Sequence, residues 1–149
     1  MAFRCAMRIV IGHKNPDTDS VGSAILLAHL ETVLGRPAQP FVLGDLNSES
    51  RFVLDRFGVR VPDRLDSTIG HEVLIVDHSE RNQAPDDLVS DAIVRIVDHH
   101  KLGDLQTSHP VPVCIEPLGS TATVICRLYE REGVLMPDNL KGVALACIL

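Results

Sequence analysis

Along the chain, short continuous apolar runs alternate with longer segments whose apolar residues recur at helical spacing. Residues 7–11 (Met-Arg-Ile-Val-Ile) read as a strand, followed by a polar loop over residues 12–20. Over residues 20–34 the spacing of Val21, Ile25, Leu26 and Leu30 predicts a helix, and Gly35-Arg36-Pro37 ends it. Residues 41–43 are a short strand closed by Gly44. Residues 48–57 are a helix with Phe52, Val53 and Phe57 on one face and Gly58 as its cap. Residues 73–76 and 93–97 are further apolar strands. Residues 111–115 fit an edge strand, because Pro112 has no N–H to give to a central ladder. Residues 120–132 and 138–149 read as helices.

Near-continuous apolar strands alternating with helices predict an α/β fold: a Rossmann-like parallel sheet with helices on both faces, one domain over residues 1–149. Sheets of this kind bind ligands beyond the carboxyl ends of their strands. The final helix ends on Gly-Val-Ala-Leu-Ala-Cys-Ile-Leu without a polar stop or glycine cap, so the expectation is a truncated domain.

Composition narrows the function. The chain has 149 residues, 45% hydrophobic, but only 3% aromatic, so its core is built from Val, Ile, Leu and Ala. Few aromatics argue against base-stacking, and a net charge of −6 argues against a broad basic face, so no nucleic-acid partner is expected. Apolar runs are too short to span a bilayer, and none near the N-terminus has signal-peptide length, so the expectation is a cytoplasmic protein without a membrane partner. Cys5, Cys114, Cys126 and Cys147 are widely spaced and form no C-x-x-C; they read as small buried or half-buried thiols.

Three apolar strands run straight into acids and histidines. Gly12-His13-Lys14-Asn15-Pro16-Asp17-Thr18-Asp19-Ser20 follows the first, Asp77-His78-Ser79-Glu80 the third and Asp98-His99-His100 the fourth. Taken singly, Asp19 or Ser20 reads as a helix N-cap, and Asn15-Pro16-Asp17 or a lone Asp-His reads as a turn. Taken together, on neighbouring parallel strands, their ends converge. Such a concentration of carboxylates and imidazoles is unfavourable without positive charge among them. Mixed oxygen and nitrogen donors suit Mn²⁺, Fe²⁺, Co²⁺ or Zn²⁺, and the surplus of donors fits a two-metal site with ions roughly 3.5–4 Å apart. With no thiolate in the cluster, structural zinc is not expected. The segment Gly119-Ser120-Thr121-Ala122-Thr123 opens a helix; it reads either as an anion site or as a plain N-cap by Ser120 or Thr121.

Asp98-His99-His100 after an apolar strand resembles the motif of the DHH phosphoesterase superfamily. Residues 12–20 resemble the first motif of its manganese-dependent family II inorganic pyrophosphatases, and Val76-Asp77-His78-Ser79-Glu80-Arg81 their second, where Asn is common in place of Ser79. Leu43-Gly44-Asp45-Leu46-Asn47-Ser48-Glu49 and residues 119–123 also fit, so the resemblance spans essentially the whole chain.

The resemblance implies hydrolysis of pyrophosphate to two phosphates by a hydroxide activated by two metal ions, Mn²⁺ foremost, with Co²⁺ or Mg²⁺ as substitutes. It implies that His13 and Asp17 bind one ion, Asp19 and His99 the other, and that Asp77 bridges them. His100 contacts substrate and assists proton transfer, while Asp98 and His78 orient ligands. Three carboxylates against two divalent ions leave a slightly positive centre, suited to a polyanion. The family adds one more Asp ligand after the last helix and a C-terminal domain whose Lys and Arg clamp phosphates; neither is in this sequence. The expected fragment therefore binds metal less tightly and turns over weakly. Other readings are an exopolyphosphatase, a phosphodiesterase for oligonucleotides or cyclic dinucleotides, or an inactive metal-binding fragment. A homodimer through the N-terminal domain is expected.

Overall fold

A computed structural model describes residues 6–149; the expectation for Cys5 lies outside the described residues. Strands β1 (Arg8–Ile11), β2 (Ala38–Val42), β3 (Asp63–Arg64), β4 (Glu72–Val76), β5 (Ile93–Asp98) and β6 (Val113–Ile115) form one sheet in the order β3-β2-β1-β4-β5-β6. Every neighbouring pair is parallel. From β1 the chain builds outward to β3, then returns to place β4 on the other flank of β1. The order thus reverses between β1 and β4, and the carboxyl ends of β1, β4 and β5 lie side by side.

The helices are α1 (Thr18–Val33), α2 (Ser48–Arg56), α3 (Thr121–Glu132) and α4 (Asp138–Ile148). The sheet is covered on both faces, but unevenly. Val10, Leu74, Val76 and Val97 face α1, α2, α3 and α4, which all lie on one side. Ile9, Ile11, Val73, Ile75 and Ile96 face the other side, where Ala84, Leu88 and Leu105 from the connections around β5 close the core. The expected parallel α/β fold is present; all four α-helices lie on one face, and on the other the β4–β5 connection supplies the 3₁₀ turns at Arg81–Gln83 and Ser90–Ala92. That connection spends its residues on polar turns and has no apolar stripe of helical length.

Helix α1 is buried around most of its surface, from Thr18 to Glu31, because α3 and α4 pack over the side it turns away from the sheet. Close approach is possible at Gly22, where a Cβ would lie 2.2 Å from Cys147 Sγ of α4. The Cys147 thiol donates to the Thr18 carbonyl at 3.2 Å. Cys114, Cys126 and Cys147 are free and half-buried, as expected. Strand β6 begins after Pro112, whose carbonyl still accepts from the Ile96 N–H at 3.1 Å, and it lies at the sheet edge as its proline predicts. The two-residue β3 was not legible in the pattern. Among the described residues, no helix is long and apolar enough to cross a membrane.

One buried ionic cluster went unread in the sequence. The carboxylate of Glu31, 1% exposed, meets Arg36 Nε at 2.7 Å, Arg95 Nη1 at 2.8 Å and Arg8 Nη1 at 3.2 Å. Burial works against its charge, but Arg36 first, then Arg95 and Arg8, hold its pKa below the usual range. A depressed folded-state pKa means that this stabilisation is present above the unfolded value, about 4.5, and is lost as pH falls through the folded one. Glu31→Gln leaves three guanidinium groups without their shared counter-charge. We expect a loss of about 2–3 kcal/mol at pH 7, because the arginines keep part of their hydration. Urea unfolding of both proteins at pH 7 and pH 3.5 checks this: the gap narrows at the lower pH.

Candidate metal centre

The site is assembled at the carboxyl ends of β1, β4 and β5. Leaving β1, the chain turns at Gly12, where a Cβ would lie only 1.8 Å from Ser20 Oγ. That contact lets the Ser20 hydroxyl accept from the His13 N–H at 3.1 Å, so the start of α1 folds back onto the strand end. Asp17 is the actual N-cap of α1, taking the Ser20 N–H at 2.8 Å. The helix therefore starts two residues earlier than its apolar spacing predicted, and Asp19 falls in its first turn. The alternative of Asp19 or Ser20 as cap is set aside.

Asp77 leaves β4 with φ 62°, the only non-glycine residue with positive φ among the described residues. Its side chain is 2% exposed and stands between two histidines. Oδ2 lies 3.2 Å from His13 Nε2, and Oδ1 lies 3.4 Å from His99 Nε2. His13 Nε2 is also 3.7 Å from Asp17 Oδ1, and His99 Nε2 is 3.6 Å from Asp19 Oδ2. Two groups of donor atoms result, each within 4.8 Å: His13 with Asp17 and Asp77, and Asp77 with His99 and His100. The structure thus brings together His13, Asp17, Asp19, Asp77, His99 and His100, with Asp77 common to both sides.

The ring nitrogens are fixed by their partners. His99 Nδ1 donates to the Leu118 carbonyl at 2.9 Å, so its Nε2 lone pair faces the carboxylates. His78 Nδ1 donates to the Val76 carbonyl at 2.9 Å, and its ring sits edge-on to His13 with centroids 6.4 Å apart. His78 stands behind the cluster; burial pushes its pKa down. Asp98 is fully buried. Its Oδ1 accepts from the His99 N–H at 2.8 Å, the His100 N–H at 3.2 Å and His100 Nδ1 at 2.7 Å.

The carboxylates and imidazoles of the cluster shift one another's pKa values strongly. Burial opposes protonation of His13, yet Asp17 and Asp77 outweigh it and hold the imidazole up at about 10. Burial, reinforced by the Asp77 charge, pushes Asp19 up to about 7. The His13 ring beside it keeps Asp17 low. Burial works against a charged His100, but Asp98 raises its pKa. The carboxylates that hold a proton on His13 would equally favour a cation placed among them. The donor set, oxygen and imidazole nitrogen around one shared carboxylate, fits borderline divalent ions.

Two features escaped sequence reading. Leu118 acts through its backbone carbonyl, which no residue pattern reveals. Thr121 was read only as a possible cap or anion holder, and the structure supplies the anion: Asp19 itself, whose oxygens accept from the Thr121 and Ala122 N–H groups at 2.9 and 3.0 Å. Ser120 caps α3 through Thr123 N at 3.1 Å, so both readings of residues 119–123 hold at once.

Residues 8–148 match the family described as DHH family, N-terminal domain. The chain is 45% identical over 152 residues to a manganese-dependent inorganic pyrophosphatase of Methanocaldococcus jannaschii, covering 96% of this chain and 47% of that protein. It is 40% identical over 144 residues to a probable manganese-dependent inorganic pyrophosphatase of Bacillus licheniformis, covering 95% and 46%. A crystal structure of a Methanococcus jannaschii protein assigned to the family II inorganic pyrophosphatases superposes with TM-score 0.86 at 43% identity, over 95% of this chain and 47% of that one. An exopolyphosphatase-related protein from Bacteroides fragilis, 17% identical with TM-score 0.71 over 97% and 44%, shares the fold. The chain spans about half the length of the curated relatives it matches.

Gly12→Ala tests the local geometry. The added methyl must displace Ser20 Oγ, and we expect a loss of about 1–3 kcal/mol, as for overpacked sites. Gly12→Ala with Ser20→Ala recovers part of that loss, because the nearest obstructing atom is gone. Urea unfolding of the two variants beside each single change checks the recovery; strict additivity contradicts it.

Proposed function

This chain belongs to the DHH family, and from that membership we propose that it carries the metal centre of a manganese-dependent inorganic pyrophosphatase, an enzyme cleaving pyrophosphate to two phosphates. The observation that carries the reading is the Asp77 carboxylate, which offers one oxygen toward His13 and the other toward His99. On this reading His13, Asp17 and Asp77 would hold one ion, and Asp77, His99 and Asp19 would hold the other. Divalent ions bound there, Mn²⁺ by the names of the relatives, supply Lewis-acid polarisation of the phosphoryl oxygens and of the attacking water.

The chain's own residues do the rest. Asp98 takes the Nδ1 proton of His100, which leaves Nε2 as the free nitrogen of a half-exposed ring, available to contact substrate and move a proton. His78 backs the His13 ring from the buried side. The N-termini of α1 and α3 both open on the site, and their dipoles favour anions there. The cations nearest the motifs are already engaged. Lys14 Nζ pairs with Asp86 at 2.7 Å, Lys101 Nζ with Glu80 at 3.5 Å, and the Arg81 guanidinium binds the carbonyls of Leu88 and Asp86. Little positive charge is left to neutralise a departing phosphate.

The same reading includes a cytoplasmic location, consistent with the free thiols of Cys114, Cys126 and Cys147. It also includes a homodimer. The edge strand β6, with Val113 exposed, supports an edge-to-edge contact, and light scattering at a twofold mass tests it.

Calorimetric titration with Mn²⁺ should find two ions per chain. Asp77→Ala should abolish both high-affinity sites, while His99→Ala should weaken one. Two intact sites in Asp77→Ala would remove the bridging reading. With Mn²⁺ bound, orthophosphate release from pyrophosphate by this chain should fall well below a typical enzyme turnover of about 10 per second. A rate at that level would show that the engaged cations suffice.

A further inference from the structure

We infer that Thr121, the first residue of α3, is a positioning residue that sets the His99 half of the metal centre; the inference rests on the two-ion reading above. Thr121 is fully buried. Its hydroxyl donates to Asp77 Oδ1 at 2.9 Å, and its N–H donates to Asp19 Oδ2 at 2.9 Å. Those are the two oxygens that flank His99 Nε2, at 3.4 and 3.6 Å respectively. One residue therefore holds both carboxylates on the side where His99 presents its lone pair. The other oxygen of Asp77, Oδ2, faces His13 and has no part in the bond.

Helix capping does not require the Thr121 hydroxyl, since Ser120 Oγ takes the Thr123 N–H at 3.1 Å. Secondary structure does not require it either, because it touches no backbone group of its own helix. What it does is hold two like charges in one orientation. Asp19 and Asp77 repel each other, and that repulsion helps to raise the Asp19 pKa. A hydrogen bond into Oδ1 offsets part of the repulsion and stops the Asp77 carboxylate from rotating about its Cβ–Cγ bond. It leaves the second lone pair of Oδ1 open toward His99. Thr121 thus prepares half of the centre before any ion arrives.

The substitutions separate the two bonds. Thr121→Val removes the hydroxyl at nearly constant volume and keeps the N–H that holds Asp19. Thr121→Ser keeps both donors. Calorimetry with Mn²⁺ alone on the whole chain, supported by Mn²⁺ electron paramagnetic resonance, should show one of the two ions bound about 10–100-fold more weakly in Thr121→Val, as for other groups that orient metal ligands. The other ion should stay close to its wild-type affinity. Thr121→Ser should restore the weakened ion, which a mere packing role for the side chain would not produce. The ion weakened should be the one also weakened in His99→Ala. Should Thr121→Val fail to fold by circular dichroism, Thr121→Ala is measured the same way. Unchanged affinity for both ions in the folded variant overturns the inference and leaves the two-ion reading intact. Failure of the wild-type chain to bind two ions overturns that reading, and the inference with it.

Discussion

The structure depends on one buried carboxylate held in an unfavourable backbone conformation. Asp77 takes φ 62° at the end of β4, a region that L-residues other than Asn and Asp rarely enter. Such a conformation costs on the order of 1–3 kcal/mol and persists only where its surroundings over-determine it. Here the surroundings do. The Asp77 N–H donates to the Val97 carbonyl at 3.0 Å, which ties the turn to the next strand. Its oxygens face His13, His99 and Thr121, which come from the end of β1, the end of β5 and the start of α3. A residue continuing the strand in extended backbone would point its side chain out of one face of the sheet. The left-handed turn is what makes a single residue common to both groups.

Helix α1 shows the same electrostatic logic at its two ends. Its N-terminus carries Asp17 and Asp19, where the partial positive charge of the helix favours carboxylates. Near its C-terminus the sign reverses, yet Glu31 is buried there. Three arginines from β1, β5 and the loop after α1 make that tolerable. The middle of the helix is buried, and its charged groups at the two ends, half-exposed at Asp17 and buried at Glu31, pair with residues on and around the sheet.

Much of this was legible from sequence, for reasons that differ by residue. Parallel strands are buried on both faces, so β1, β4 and β5 read as near-continuous apolar runs, and their polar successors pointed to the strand ends. The convergence of His13, Asp77 and His99 was therefore legible from position alone. Which histidine faces which Asp77 oxygen was not, because spacing along the chain says nothing of it. β3 is two residues long and polar, and no periodicity can be read from it. The one-sided placement of the helices depended on how much of the β4–β5 connection would become helical, and its 3₁₀ turns lack any apolar period. Glu31 and its arginines are separated by up to 64 residues, so only the fold brings them together. Thr121 was visible as a helix start, but its partner Asp19 lies 102 residues away.

Asp98 illustrates what the site gives up for orientation. Its Oδ1 receives three donors, two from the backbone of the following residues and one from the His100 ring. Its Oδ2 is buried with no protein partner, as is His78 Nε2. A buried acceptor left unmet costs about 1–3 kcal/mol, so a stability-driven sequence would place an apolar side chain here. What Asp98 achieves instead is a sharp change of direction over two residues. His99 turns inward to Leu118 and the carboxylates, while His100, next in the chain, turns outward with its Nδ1 proton already committed. Two adjacent imidazoles with centroids 4.0 Å apart are thereby given different orientations, and a single buried carboxylate fixes the outward one. The unpaired oxygen is the cost of that division.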